Sequence, residues 1–359
     1  MEQHYVFNEK LRVDYNIMHK WVVDIFQASG MDSSDAIICA DNLVSTDARG
    51  VYSHGVMRVP VYVKRLLLKV THPTAQPEVI RDSGATALIT GNNAMGQVVG
   101  VHAMNVAIEK AKQYGVGYVS VRGSNHYGAS AHFAMMPLSE DMIGISGTIG
   151  GTNIMAPWGG SSRMLGNNPF GVAIPALNRY PIVLDMAQSV VARGKIVMAR
   201  KTKQPIPKTW AFAPDGSPTT DAEEAYNGTV RPIGDYKGYG LTYVNAIISA
   251  LLPGAAFGPT VTDLYEEFST AQDVGHFMQV IKVSSFMDPA QFKKSVDDSI
   301  DYLKNSPRKE GVDEILVPGE LEARSEKQQR EQGVVYPIEV IRELIDVSNN
   351  LGVTIPVNV

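Results

Sequence analysis

In the stretch "VYSHGVMRVPVY", residues 51–62, a histidine, an arginine and a tyrosine recur at intervals of four. If the chain is helical after Gly55, His54, Arg58 and Tyr62 project from one face. That row sets a titratable imidazole and a phenol beside a guanidinium, whose planar fork clamps a carboxylate through two parallel hydrogen bonds. Imidazole titrates close to neutrality, so it can exchange a proton with a hydroxyl held on the same clamp. Pro60 removes a backbone donor inside the row and can kink its first turn. A packing role for His54 stands as the alternative.

A second polar group lies in "VRGSNHYGAS", residues 121–130. A strand that ends near Arg122, followed by a Gly-Ser-Asn-His loop and a helix, is where α/β proteins carry ligands. His126 is the candidate acid or base there. His132, further into the following helix, reads as packed, and His4, His19, His72, His102 and His276 read as structural. Gly150 and Gly151 leave backbone bare enough to approach a ligand and to present amides. Asp185 ends a strand, Lys237 opens a helix, and Pro318-Gly319 makes a turn before Glu320. Each of these has a bland reading in turn geometry or as a solvated charge.

These residues need a frame, and 359 residues suffice for two or three domains or one large α/β core. A hydrophobic share of 44% and a charged share of 19% describe a soluble globular chain. A net charge of −5 leaves no basic footprint, so a small diffusible partner is expected rather than nucleic acid. The first 70 residues read as helical, with Asp14 capping a helix whose stripe is Ile17, Trp21, Val22, Ile25 and Phe26, and Gly30 ending it. Short apolar runs then alternate with helical ones: "ATALITG", "VGYVSVRG", "MIGISGTIG", "FGVAIPA", "PIVLDMA" and "HFMQVIKV" read as strands. Long helices are expected at 96–115, 237–252, 288–305 and 337–352. The alternation predicts a sheet covered by helices, with an N-terminal segment 1–75 packed on 288–359 around a central region 76–287. Cys39, the one cysteine, reads as a buried thiol and excludes an internal disulfide. Neither a secretory leader nor a membrane span is apparent, which points to the cytoplasm.

Several familiar signatures are missing. There is no G-x-G-x-x-G, no G-x-S-x-G and no H-E-x-x-H, and in "GNNAMGQVV" Gln97 and Val98 stand where a phosphate loop needs lysine and a hydroxyl. That loop reads as a turn opening a helix at Gly96. Any dinucleotide must be held without the usual fingerprint, and no metal-ligand spacing is present.

Taken in order, "DARGVYSHGVMRVPVYVKRL", "SNHYGASAHFA", "APWGG", "GNNPFGVAIP", "VLDMAQS", "ARGK", "GSPTTD", "KGYGL" and "VPGE" resemble the malate/L-lactate dehydrogenase family of the non-Rossmann type. The resemblance runs from about residue 45 to 322. It implies an L-sulfolactate dehydrogenase-like α/β fold, a central mixed sheet flanked by N- and C-terminal helical segments, working as a homodimer. It implies NAD or NADP as cofactor, with NAD favoured, and a small carboxylate substrate of the malate or lactate type. Ureidoglycolate, a 2-keto sugar acid and a cyclic imine acid are the alternatives; a noncatalytic ligand-binding protein is the alternative class. By the resemblance, His126 and His54 are the catalytic pair, and Ser53, Arg58 and Tyr62 bind substrate. Cofactor contacts fall on Gly150, Gly151, Thr152, Asp185, Met186, Ala187, Lys237, Gly319 and Glu320.

Overall fold

The computed structural model describes residues 9–358, so His4 lies outside the described residues. The helical reading of the opening region misses β1 (Lys10–Val13), which is too short for alternation to register. Asp14 caps α1 (Tyr15–Ala28), its carboxylate accepting from the amides of Asn16 and Ile17. Met18, not Ile17, completes the buried stripe with Trp21, Val22, Ile25 and Phe26; Ile17 is 44% exposed. Next come α2 (Ser33–Ala48), which buries Cys39, and α3 (Val59–Leu67).

The central region holds β2 (Glu78–Ser83), β3 (Thr86–Thr90), α4 (Gly96–Tyr114), β4 (Val116–Ser124), α5 (Ser130–Met135), β5 (Met142–Thr148), β6 (Phe170–Ile174) and β7 (Ile182–Met186). After these come α6 (Arg193–Lys201), a small β8 (Ala211–Phe212) paired with β9 (Thr229–Val230) across α7 (Ala222–Asn227), α8 (Tyr236–Ala246), and β10 (Val274–Lys282). The predicted helix over 237–252 is α8 continued by a wider π turn through Leu251. The chain ends with α9 (Pro289–Lys304), α10 (Glu320–Gln332), β11 (Val334–Pro337) and α11 (Ile338–Leu351).

Seven strands form one sheet in the order β2-β3-β4-β10-β5-β6-β7. Only β3 and β4 run parallel; every other neighbouring pair is antiparallel. A dinucleotide-binding Rossmann sheet is parallel and reverses order at its ligand crevice, so this mixed sheet is a different frame. α4 lies close on β4 because Gly117 has no side chain: a Cβ there would sit 2.0 Å from the carbonyl oxygen of Ala107.

The two ends of the chain share a core. β1 pairs antiparallel with β11, Lys10 opposite Pro337 and Val13 opposite Val334. Trp21 is buried and donates from Nε1 to Ser348 Oγ at 2.8 Å. Leu43, Val59, Leu66, Ile341 and Leu344 belong to the same apolar cluster, and each such side chain contributes about 1.5–3 kcal/mol on burial. α9 docks elsewhere, its Asp297 accepting from the amides of Leu177, Asn178 and Arg179 in the turn between β6 and β7.

Candidate active site

His54, Arg58 and Tyr62 do not lie on one helix. Residues 52–54 and 56–58 form two separate 3₁₀ turns, and α3 begins only at Val59. Asp47, at the end of α2, accepts from the Val56 amide at 2.8 Å and pins the second turn. A Cβ on Gly55 would lie 1.7 Å from Asp47 Oδ1, so glycine is what lets the carboxyl tuck beneath the chain. Pro60 sits in the first turn of α3, where its missing donor is one the helix start would leave unused. Arg58 then folds back, Nε donating to the Ser53 carbonyl at 2.8 Å, with the Tyr265 ring 5.2 Å from its guanidinium carbon.

His126 comes to the same place from the loop after β4. Asn125 anchors that loop, its amide nitrogen donating to Asn93 Oδ1 at 2.9 Å and to the Ala94 carbonyl at 2.8 Å. The "GNNAMG" turn is therefore a support for the loop as well as the opening of α4 at Gly96. On the other side, fully buried Gln272 accepts from the His126 amide at 3.1 Å. The Tyr62 hydroxyl lies 2.6 Å from His126 Nδ1, and the His54 and His126 rings stack with centroids 5.8 Å apart and planes 15° apart. Ser53 Oγ is 2.9 Å from His54 Nδ1.

Burial sets the charge state of this cluster. Desolvation, then the Arg58 cation, lowers His54 to about 3. Desolvation pushes His126 well below the usual imidazole range, with the His54, Arg58 and His276 charges adding to it. Both imidazoles are neutral at pH 7.

His54 and Ser53 open onto a cleft of about 650 Å³, within the range of small-molecule sites. Asp185, Met186, Ala187 and Gly319 line it as well. Asp185 accepts from the Ala131 amide at 2.8 Å, and burial lifts its carboxyl to about 6. Gly319 has φ +84°, and a Cβ on it would sit 2.7 Å from Val183, so backbone alone fits there. His132, read from sequence as packed, also faces the cleft and stands edge-on to Phe133.

The remaining predicted contacts lie outside this cleft. Gly150 and Gly151 have φ of +73° and +71°, and the Gly151 carbonyl accepts from Gln272 Nε2, which ties their loop to His126. Thr152 donates its hydroxyl to that same carbonyl. Glu320 is held by Lys304 at 2.8 Å and by Arg324. Lys237 is exposed at the start of α8. Asp47, Tyr265 and Gln272 were not found from sequence; Gln272 stands 146 positions from His126 and carries no local pattern.

Fold and site together define a 2-hydroxy acid dehydrogenase built on a non-Rossmann sheet. The solved structure of sulfolactate dehydrogenase from Methanocaldococcus jannaschii superposes with a TM-score of 0.89 at 37% identity, covering 96% of this chain and 98% of that one. The family model described as malate/L-lactate dehydrogenase matches residues 13–345. The chain belongs to that family. In sequence it is 40% identical to the L-sulfolactate dehydrogenase of Methanocaldococcus jannaschii, over 94% of this chain and 96% of the relative. To the malate dehydrogenase of Pyrococcus horikoshii it is 36% identical, over 98% and 99%.

Proposed function

We propose that the protein moves a hydride between C2 of a small 2-hydroxy acid, of the malate or sulfolactate type, and a nicotinamide cofactor. The observation that carries this reading is the stacked pair His54 and His126 beside Arg58, with His54 opening onto the cleft. Arg58 clamps the C1 carboxylate, one imidazole takes the hydroxyl proton, and the other donates to the oxygen that becomes the carbonyl. Ser53 orients His54 through Nδ1.

Substrate binding itself tunes the base. The Arg58 charge is one of the two causes that hold His54 low. A carboxylate on Arg58 offsets that charge and shifts His54 upward, while burial, the larger cause, continues to hold it low.

In this reading the dinucleotide lies in the cleft of about 650 Å³. Gly319 and Asp185 to Ala187 line it together with His54, and the missing side chain at Gly319 lets the turn pack on Val183. When bound, nicotinamide supplies the hydride acceptor or donor. NAD is favoured over NADP because both arginines on the cleft's outer wall, Arg49 and Arg330, are already paired to Glu326, at 3.1 and 2.9 Å. Among the described residues that line the cleft, no guanidinium lacks a carboxylate partner.

The active form is a homodimer in this reading. Gly238 to Leu252 contain no charged residue, yet Leu241, Val244, Leu251 and Leu252 are exposed along α8 and its extension. An apolar stripe of this kind marks an association surface, and a second copy presents the matching stripe.

The test is absorbance at 340 nm with both cofactors and a panel of malate, lactate, sulfolactate, ureidoglycolate and 2-oxo acids. Turnover of a 2-hydroxy acid, cut about 10²-fold or more by His54→Ala and by His126→Ala, is expected. Undiminished turnover in both variants contradicts the assignment. Tight nicotinamide binding without turnover would instead favour a noncatalytic ligand-binding protein.

A further inference from the structure

Tyr62 is 3% exposed, and its hydroxyl is directed at His126 Nδ1 rather than at the open cleft. Nδ1 has a second neighbour, the backbone amide of Gly128 at 3.4 Å. A backbone N–H donates and never accepts, so a proton on Nδ1 would face another proton. Nδ1 is therefore an acceptor, and the Tyr62 hydroxyl is its main donor. In a neutral imidazole the proton must then reside on Nε2.

We propose that Tyr62 is a positioning residue that locks His126 as the Nε2–H tautomer and so divides the work between the two histidines. This rests on the dehydrogenase reading above and deepens it. His126 keeps its proton throughout and donates a hydrogen bond to the C2 oxygen. The scheme takes His54 Nδ1–H as donor to Ser53 Oγ, 2.9 Å away, which leaves Nε2 as the acceptor. In the oxidative direction the C2–H bond breaks as hydride leaves for the cofactor, and the O–H bond breaks as the proton passes to His54 Nε2. The carbonyl forms, and the imidazolium later releases its proton to water. Nothing is left over: one hydride goes to the oxidised cofactor and one proton to solvent.

Several groups hold the lock in place. Gln272 fixes the His126 amide, and Gly96 brings the start of α4 against the carbonyls of Asn125 and His126, where a Cβ would stand within 2.4 Å. The ring cannot turn to exchange its nitrogens without leaving the Tyr62 hydroxyl unpaired.

The experiment is long-range 15N–1H correlation of histidine-labelled full-length protein, without substrate or cofactor, from pH 5.5 to 8.5. His126 is expected to show a protonated Nε2 and an unprotonated Nδ1 across that range. In Tyr62→Phe the two tautomers should mix and kcat should fall at least about 10-fold, the scale on which a wrong tautomer damages general acid–base catalysis, with KM for the acid little changed. A wild-type spectrum showing Nδ1–H overturns the proposal whether or not the variant folds. So does a Tyr62→Phe protein that keeps the tautomer and kcat while KM rises, since Tyr62 would then be a direct substrate contact. The spectrum is read on unliganded protein, so absence of dehydrogenase activity would sink the function without touching the tautomer.

Discussion

Placing a methyl group on Gly55 should disable the fold beneath the site, and should do so through one partner. The three atoms nearest an added Cβ are all in the Asp47 carboxyl, the closest at 1.7 Å. Neither the backbone nor the carboxyl can stay, so Gly55→Ala must drive Asp47 off the Val56 amide. A buried amide left without a partner costs about 1–3 kcal/mol, and overpacking adds about 1–3 kcal/mol, so the variant should lose about 2–6 kcal/mol. The residue's φ of −93° is negative, so the left-handed region that reserves a position for glycine is not what is at stake here. In an Asp47→Ala background the obstacle is gone, and Gly55→Ala should then cost less than about 1 kcal/mol, because residues in contact couple strongly. Urea unfolding of the wild type, both single variants and the double variant measures that coupling. Additivity within about 0.5 kcal/mol, the behaviour of independent sites, would refute the reasoning.

Arg58→Lys should raise KM for the acid well above its effect on kcat, because an ammonium cannot reproduce the planar fork; steady-state kinetics with an unchanged KM would remove the clamp. His276 is fully buried between Thr148 and Ser124, and desolvation lowers it to about 3. Below pH 6.5 the unfolded chain takes a proton that the folded His276 refuses, so stability falls as pH drops, by about 1.4 kcal/mol per pH unit for this group. His276→Gln should flatten the stability profile by that slope between pH 6 and 4 in urea titrations, and an unchanged slope contradicts the buried neutral ring. Leu241→Glu on the outer face of α8 should convert dimer to monomer in sedimentation velocity, and an unaltered dimer places the interface elsewhere.

Elements whose signal is local were legible in the sequence. The cap at Asp14, the helix opened by Gly96, the strand that delivers His126 and the strand that carries Asp185 all follow from apolar period and turn residues. What escaped depends on partners distant along the chain. β1 gains its hydrogen bonds only from β11, more than 320 positions away, so four residues alone could not declare a strand. The even spacing of His54, Arg58 and Tyr62 suggested a helical row, but Asp47 and Gly55 bend the chain into two short turns. The residues still converge, because Arg58 folds back on Ser53 and Tyr62 reaches His126 from α3. Tyr265 and Gln272 complete the surroundings from a segment with no recognisable motif. His132 is packed on Phe133 as its sequence position suggested, and from its six-residue helix it also borders the cleft, which no local pattern announced.

The most direct measurement follows the isotope. With a 2-hydroxy acid carrying deuterium at C2, the wild-type protein should deliver the label to C4 of the reduced nicotinamide, and His54→Ala and His126→Ala should slow that delivery in step with turnover. Deuterium appearing in solvent, or transfer at the wild-type rate in both variants, would contradict hydride transfer governed by this histidine pair.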